Sequence, residues 1–393
     1  MNLPAVAEPR NTPARVLHVI TRLDRGGSAD NTISSCLGLD RRGWKVTLAY
    51  GKTADPTPLL AELEGRETIS AVQIPSLVRA IAPMADLRAY RRLRRMLLAR
   101  DYEIVHTHSS KAGLLGRRAA RGLGPRIVHT PHGNIFEGYF PSAVSRLFIG
   151  LERRAARWCD RIVTLTDMGR EAHLSRGVGQ RQQFITIPSG VRLEPYRRGL
   201  PDRRVARASL ALPQDGYVVG CVARLTPVKG QRYLLDAVAR LARRRPSVHV
   251  LLVGDGELRE ALAEQAASGP LSGRVVFSGM LSDARESLAA MDLFVMPSLN
   301  EGQCRAVVEA MAAGLPVVAS SVGGLPEVLA GGAAGLLVPP EDPRALASAI
   351  ERVMDDPQEA VRLSSAGRRQ AERYDESIMI DCIENLYRDL LEE

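Results

Sequence analysis

Two doubly wound α/β domains are the fold class this chain predicts, and three observations predict it. Short apolar runs alternate with helix-length segments along the chain. The alternation comes in two series, separated by a stretch rich in Pro, Gly and Arg at 188–216. At 393 residues the chain is also long for one core, so two domains are the natural division. Short apolar strands set between helices indicate parallel sheets covered on both faces.

The elements follow in order. Residues 1–14 hold three prolines and no apolar core, so they read as a loose tail rather than a signal peptide. A cytoplasmic location is expected on that basis. Strand-like runs then fall at 16–20, 45–50, 72–75, 104–108, 127–130, 162–165 and 184–187, with helical runs at 29–40, 86–100 and 143–159. This series makes a first domain over 15–195. The second series has strands at 217–222, 248–253, 275–277, 293–296, 317–319 and 336–338. Its helices are at 231–245, 257–267, 285–290, 305–313 and 343–354, which makes a second domain over 196–370. The last segment, 371–393, contains an amphipathic helix whose Ile380, Ile383, Leu386, Tyr387 and Leu390 must pack on something.

Composition excludes several classes. No apolar stretch is long enough to span a bilayer. The five cysteines are scattered and form no CxxC pair, so neither a disulfide framework nor a zinc site is indicated. Charge is uneven: residues 1–195 carry 30 Lys and Arg against 17 acids, whereas the rest of the chain is mildly acidic. Different partners are expected for the two halves, and nucleic acid is not among them.

The residues that suggest chemistry stand at strand ends. Glu301 and Glu309 flank the expected start of the 305–313 helix, whose unpaired N–H groups and positive dipole end suit a diphosphate. Glu301 is then placed to reach sugar hydroxyls and Glu309 ribose hydroxyls. Gly26-Gly27 lies between the first strand and first helix, where backbone N–H groups approach a phosphate closely, and it is not a GxGxxG fingerprint. Arg224 and Lys229 bracket the loop after the first strand of the second series, and two cations there suit a diphosphate gaining charge as its bond to a sugar breaks. His132, beyond a strand end beside Gly133, is placed to donate to a sugar hydroxyl or move a proton, while His129 reads as a core residue. His108, Ser109 and Lys111 are expected to line the acceptor side. The spacing of His106 and His108 would suit a metal pair, but no acid or Cys cluster accompanies it, and no metal site is expected.

In combination these motifs resemble glycosyltransferase family 4, over about residues 15–390. The segment Gly314-Leu315-Pro316 to Pro326-Glu327 adds to the likeness, and the run from His132 to Phe140 resembles a subgroup acting on bacterial surface polysaccharides. The resemblance implies the GT-B architecture, two Rossmann-like domains facing a central cleft, with the 371–393 helix crossing back to the first domain. It implies transfer from a nucleotide-sugar, a UDP-sugar foremost, with retention of configuration and no metal or other cofactor. By position it gives Glu309 to the ribose and Glu301 and His132 to the transferred sugar. Arg224, Lys229, Gly27 and the amides of Cys304 and Arg305 go to the diphosphate, with Gly26, Gly302 and Gln303 beside it and Met280 and Leu281 at the base. Gln303-Cys304-Arg305 departs from the family's usual aromatic followed by Gly or Pro, which bears on sugar specificity. Glu327 is expected to cap or orient the Gly323-Gly324 loop near the diphosphate.

A lipid-linked acceptor such as a polyprenyl-diphosphate sugar, or a polysaccharide intermediate, fits the basic first half. In 86–100 the apolar Leu87, Tyr90, Leu93 and Leu97 share a face, with Arg88, Arg91, Arg92 and Arg95 largely elsewhere. Docking on an anionic inner membrane surface follows as an expectation. Two other classes remain open: a nucleotide-sugar epimerase of the same architecture, and a catalytically silent binding module.

Overall fold

A computed structural model describes residues 13–133, 142–281 and 283–393. Most of the 1–14 tail and of the run from His132 to Phe140 lies outside the described residues. The chain forms two parallel sheets. The first contains β1 (Arg15–Ile20), β2 (Lys45–Tyr50), β3 (Ser70–Gln73), β4 (Ile104–His108), β5 (Arg126–Thr130), β6 (Arg161–Thr164) and β7 (Phe184–Thr186), in the order β3-β2-β1-β4-β5-β6-β7. The second contains β8 (Tyr217–Val222), β9 (Val248–Val253), β10 (Val275–Gly279), β11 (Leu293–Met296), β12 (Val317–Ser320) and β13 (Leu336–Val338), in the order β10-β9-β8-β11-β12-β13. Both are doubly wound Rossmann-like sheets with interleaved helices. The order reverses between β1 and β4 in one sheet and between β8 and β11 in the other, and ligands of such sheets gather at that reversal, beyond the strands' carboxyl ends.

By contacts the chain divides into two compact units. One is Met1–Pro131, Leu151–Val163 and Ile380–Glu393, and the other is His132–Gly150 and Thr164–Met379. The division differs from a simple boundary at 195. Residues 164–191 are tied into the second unit by local bonds, among them Asp167 N–H to Glu327 at 2.8 Å and Val191 N–H to the Tyr374 carbonyl at 2.8 Å.

In the first unit β1 and β4 are buried strands aligned so that His18 pairs with His106 and Ile20 with His108. Ile380, Ile383, Tyr387 and Leu390 of the last helix are buried in it, and Ile380 lies against Gly38, where an added Cβ would clash at 2.3 Å. In the second unit an apolar core of Val, Leu and Ile surrounds β8, β9, β11 and β12.

Several helices escape the sequence pattern, the longer of them Ser110–Ala120, Asp167–Leu174 and Pro357–Ala371. The first is instructive. Its Gly113 and Gly116 lower helix propensity, but they let the helix sit on the sheet. A Cβ at Gly113 would lie 2.4 Å from His129 Cε1, and one at Gly116 would lie 2.6 Å from Thr107 Cγ2. Packing, rather than propensity, selects the helix.

Candidate functional site

The second unit assembles most of the residues singled out in the sequence. Two loops leave neighbouring strands at its reversal point. The loop after β8 runs through Arg224 and a single 3₁₀ turn at Pro227–Lys229. The loop after β11 runs through Pro297 and Ser298 to Glu301. Backbone packs on backbone between them: Leu299 N–H donates to the Val228 carbonyl at 2.8 Å. Gly230, at φ +66°, lies where a Cβ would meet the Pro297 carbonyl oxygen at 2.1 Å, so only glycine fits.

This close approach brings Lys229 to Glu301. Lys229 Nζ donates to Glu301 Oε1 at 2.6 Å, and Ser298 Oγ donates to the same oxygen at 2.7 Å. Glu301 is 8% exposed. Arg224 is exposed and, among the described residues, has no ion pair. One cation of the β8 loop is therefore neutralised by the carboxylate of the neighbouring β11 loop and the other faces solvent. Ser298 escaped the sequence reading, and its position three residues before Glu301 was the available signal.

Helix Arg305–Ala313 begins immediately after Cys304, which has φ +65°. Glu309 lies about a turn further along and is partly exposed. It adjoins Tyr196, whose hydroxyl is held protonated by burial and by the Glu309 and Asp283 charges. Burial, with the Glu301 charge, pushes the Cys304 thiol far up, so it stays a neutral thiol. At Gly302 a Cβ would lie 3.4 Å from Gly133 Cα and from the His132 carbonyl oxygen, which sets the His132-Gly133 turn beside Glu301. His132 has φ +62°. Desolvation, aided by the Arg305 charge, lowers its imidazole to about 3, so it is neutral near pH 7. Met280 and Leu281 follow the end of β10, Met280 being 45% exposed.

Three expectations need correction. Glu327 accepts the Asp167 N–H at 2.8 Å, so it caps helix Asp167–Leu174 rather than orienting the Gly323-Gly324 loop. That loop is fixed by backbone instead, with Gly324 N–H donating to the Glu301 carbonyl at 3.3 Å. The side chains of Gln303 and Arg305 bond the backbone of Ser189 and Gly190. Within this structure their side chains are thus directed at the protein's own chain.

The third correction concerns the first unit. Gly26, at φ +148°, opens the helix Gly27–Arg41, and no atom lies within 4 Å of where its Cβ would be. The adjoining Asp24 fixes this turn by accepting the Ala54 and Asp55 N–H groups. His108, however, is fully buried and does not line a surface. Its Nε2 lies 2.9 Å from His18 Nδ1. His106 bonds Tyr387 Oη at 2.6 Å and Thr130 Oγ1 at 2.7 Å. Each of His18, His106 and His108 has a ring nitrogen within 4.8 Å of the others', a donor set that a metal could use, but these nitrogens are engaged in a hydrogen-bonded polar core. Alternation puts His106 and His108 on one face of β4, and that face is interior. Ser109 Oγ bonds Thr21 Oγ1 at 3.1 Å, and Lys111 Nζ pairs with Asp86 at 2.7 Å.

Comparison with known proteins decides the family. Residues 26–190 match the model of a glycosyl transferase 4-like domain, and residues 216–356 match that of glycosyl transferases group 1. The chain is 30% identical over 329 residues to the UDP-Gal:alpha-D-GlcNAc-diphosphoundecaprenol alpha-1,3-galactosyltransferase of Escherichia coli, covering 83% of this chain and 85% of that one. The protein is a family 4 glycosyltransferase. The fold of this transferase agrees with its relatives. A structure of HepE from Anabaena in complex with UDP and glucose superposes with a TM-score of 0.80 at 25% identity, over 94% of this chain and 98% of that one. Sucrose-phosphate synthase from Thermosynechococcus elongatus gives a TM-score of 0.82 at 25% identity, over 96% and 99%. Nothing in these comparisons supports the epimerase reading. No helix of the described residues is long and apolar enough to cross a membrane.

Proposed function

We propose that this glycosyltransferase moves a sugar from a UDP-sugar to a hydroxyl of a polyprenyl-diphosphate-linked acceptor, with retention and without a metal. The observation that carries the reading is the convergence of Arg224, Lys229, Glu301 and the start of helix Arg305–Ala313 at one reversal point. The named relatives support the substrate classes: one uses UDP-Gal and a diphosphoundecaprenol acceptor, and one was captured with UDP and glucose.

The roles follow from charge and reach. The diphosphate rests on the N–H groups opening helix Arg305–Ala313. Glu309 takes the ribose hydroxyls, Met280 and Leu281 flank the base, and Gly302 leaves room beside the sugar. Arriving phosphate oxygens compete with Glu301 for Lys229, and the released Glu301 then orients the sugar hydroxyls. As the glycosidic bond breaks, Arg224 and Lys229 stabilise charge on the leaving diphosphate. That oxygen takes the acceptor's proton on the same face of an oxocarbenium-like sugar, which retains configuration without a covalent carboxylate. Neutral His132 donates a hydrogen bond to the sugar.

The acceptor's lipid implies a membrane surface. On helix Pro83–Ala99, Met84, Arg88, Arg91, Arg95 and Leu98 recur at spacings of three and four and are all exposed, with Leu87 beside them. An exposed stripe of apolar ends and arginines is what an interfacial helix presents to anionic lipid. Leu87 therefore belongs with the exposed stripe, whereas Ala89, Leu93 and Leu97 face the core.

The test is a panel of UDP- and GDP-sugars, with and without a polyprenyl-diphosphate-sugar acceptor, read by nucleotide release and product anomer. UDP release with an α-linked product from an α-linked donor, unchanged by EDTA, is expected. An altered sugar still on the nucleotide would indicate an isomerase. Thermal stabilisation without turnover would indicate a silent binder.

A further inference from the structure

The residues after Glu301 are engaged in an unforeseen way. Gln303 is 2% exposed, and its amide bonds both sides of one peptide residue. Oε1 accepts the Ser189 N–H at 2.5 Å and Nε2 donates to the Ser189 carbonyl at 2.9 Å. Arg305 Nη1 donates to the Gly190 carbonyl at 2.6 Å. Ser189 is itself 2% exposed. The segment they grip is held on its other side too. Val191 N–H donates to the Tyr374 carbonyl at 2.8 Å, and Glu376 N–H donates to the Val191 carbonyl at 3.0 Å. Arg192 pairs with Glu376 at 3.1 Å, and a Cβ on Gly190 would come within 2.7 Å of Glu376 Cα.

Between the two gripping residues stands Cys304, at φ +65° and ψ 84°. A non-glycine residue adopts that conformation only when its surroundings impose it. Gln303 on one side and Arg305 on the other supply the constraint. Their amide and guanidinium groups fix both ends of the turn to one backbone segment. The turn in turn sets the direction of the first N–H groups of helix Arg305–Ala313 and the offset of Glu301 from them.

We propose that Gln303 and Arg305 are positioning residues. By clamping Ser189 and Gly190 they hold the Cys304 turn, and so aim the helix N–H groups at the donor's diphosphate. This rests on the donor reading above. It predicts a selective effect: the clamp matters for the diphosphate and little for the nucleoside, which is held elsewhere by Glu309 and the β10 end.

Calorimetric titration of the full chain with UDP, and in parallel with uridine, tests it. Gln303→Leu keeps bulk and removes both bonds, and is expected to weaken UDP about tenfold, equivalent to about 1.4 kcal/mol, while uridine stays within about twofold. Arg305→Ala is expected to act likewise, and Arg305→Lys, which retains a donor for the Gly190 carbonyl, to recover most of the loss. Unchanged UDP affinity in Gln303→Leu and Arg305→Ala overturns the proposal, as does an equal loss for UDP and uridine. Should Gln303→Leu fail to fold, the Ala and Lys variants at 305 decide alone by the same readout. A wild-type protein that binds no UDP would remove the donor reading and this proposal together. Wild-type binding with insensitive variants removes this proposal only.

Discussion

The two sheets share a winding order, but the polar side chains at their reversal points behave differently. In the second unit Lys229, Glu301 and Arg224 stand in loops beyond the strands, and the pair among them is only partly buried. In the first unit His18, His106 and His108 lie within β1 and β4 and are sealed in the core with Tyr387 and Thr130. The same topology thus presents a charged pair in one unit and a buried, hydrogen-bonded network in the other. The lesson is one of position: the three histidines lie within their strands, whereas Arg224, Lys229 and Glu301 lie two, seven and five residues beyond the ends of theirs.

The largest effect should come from breaking the second unit's pair. Lys229→Ala is expected to lower kcat on the order of 10²–10³ at saturating donor. Near-native turnover would mean that the loop cations are not catalytic.

A smaller effect of a different kind is expected in the first unit. Tyr387→Phe removes the hydroxyl bonded to His106 at 2.6 Å. It should cost about 1–3 kcal/mol in urea unfolding while kcat/KM stays within about twofold. A large drop in activity without loss of stability would erase the contrast between the two regions.

pH sharpens the same contrast. Burial lowers His18 to about 3. The unfolded chain takes up this proton below about pH 6.5, and the folded chain does so only near 3. Stability is therefore full above about 6.5 and is lost as pH falls towards 3, by up to about 1.4 kcal/mol per pH unit for this residue. Urea midpoints measured from pH 7 to 4 should fall, and His18→Gln should flatten the slope. A flat wild-type profile would show that the network accepts protons in the folded state.

The smallest effects belong to the exposed stripe of Pro83–Ala99. Replacing Arg88, Arg91 or Arg95 singly by Ala should weaken binding to anionic vesicles by about 1 kcal/mol each, with the solution reaction on a short-chain acceptor unchanged. Co-sedimentation insensitive to these changes and to salt would rule the surface out as a lipid contact.

How far the sequence could be read depended on where the deciding contact lay. The alternation of strands and helices is written in local periodicity, so the strands were legible, but helix Ser110–Ala120 was not. Its glycines answer to His129 and Thr107, which lie on neighbouring strands rather than in the helix's own turns. The placement of Arg224, Lys229 and Glu301 in loops beyond strand ends was legible because turn residues and apolar runs mark those ends in the sequence. His108 was misread because it ends a strand that is buried on both faces rather than standing beyond the strand's end. The side-chain partners of Gln303, Arg305 and Glu327 were not legible because those partners, Ser189, Gly190 and Asp167, lie more than a hundred positions away.

The sequence by itself determined the two α/β series, the absence of a membrane-spanning stretch and the family's glutamate and cation motifs, all carried by short-range pattern and residue type. Only the tertiary structure decided the strand order that sets the β8 and β11 loops side by side. It alone decided the pairing of Lys229 with Glu301, the sealing of three histidines with Tyr387, and the clamp of Gln303 and Arg305 on Ser189 and Gly190. Each of these depends on backbones meeting across long chain separations, where packing and hydrogen-bond satisfaction, not local preference, choose the partner.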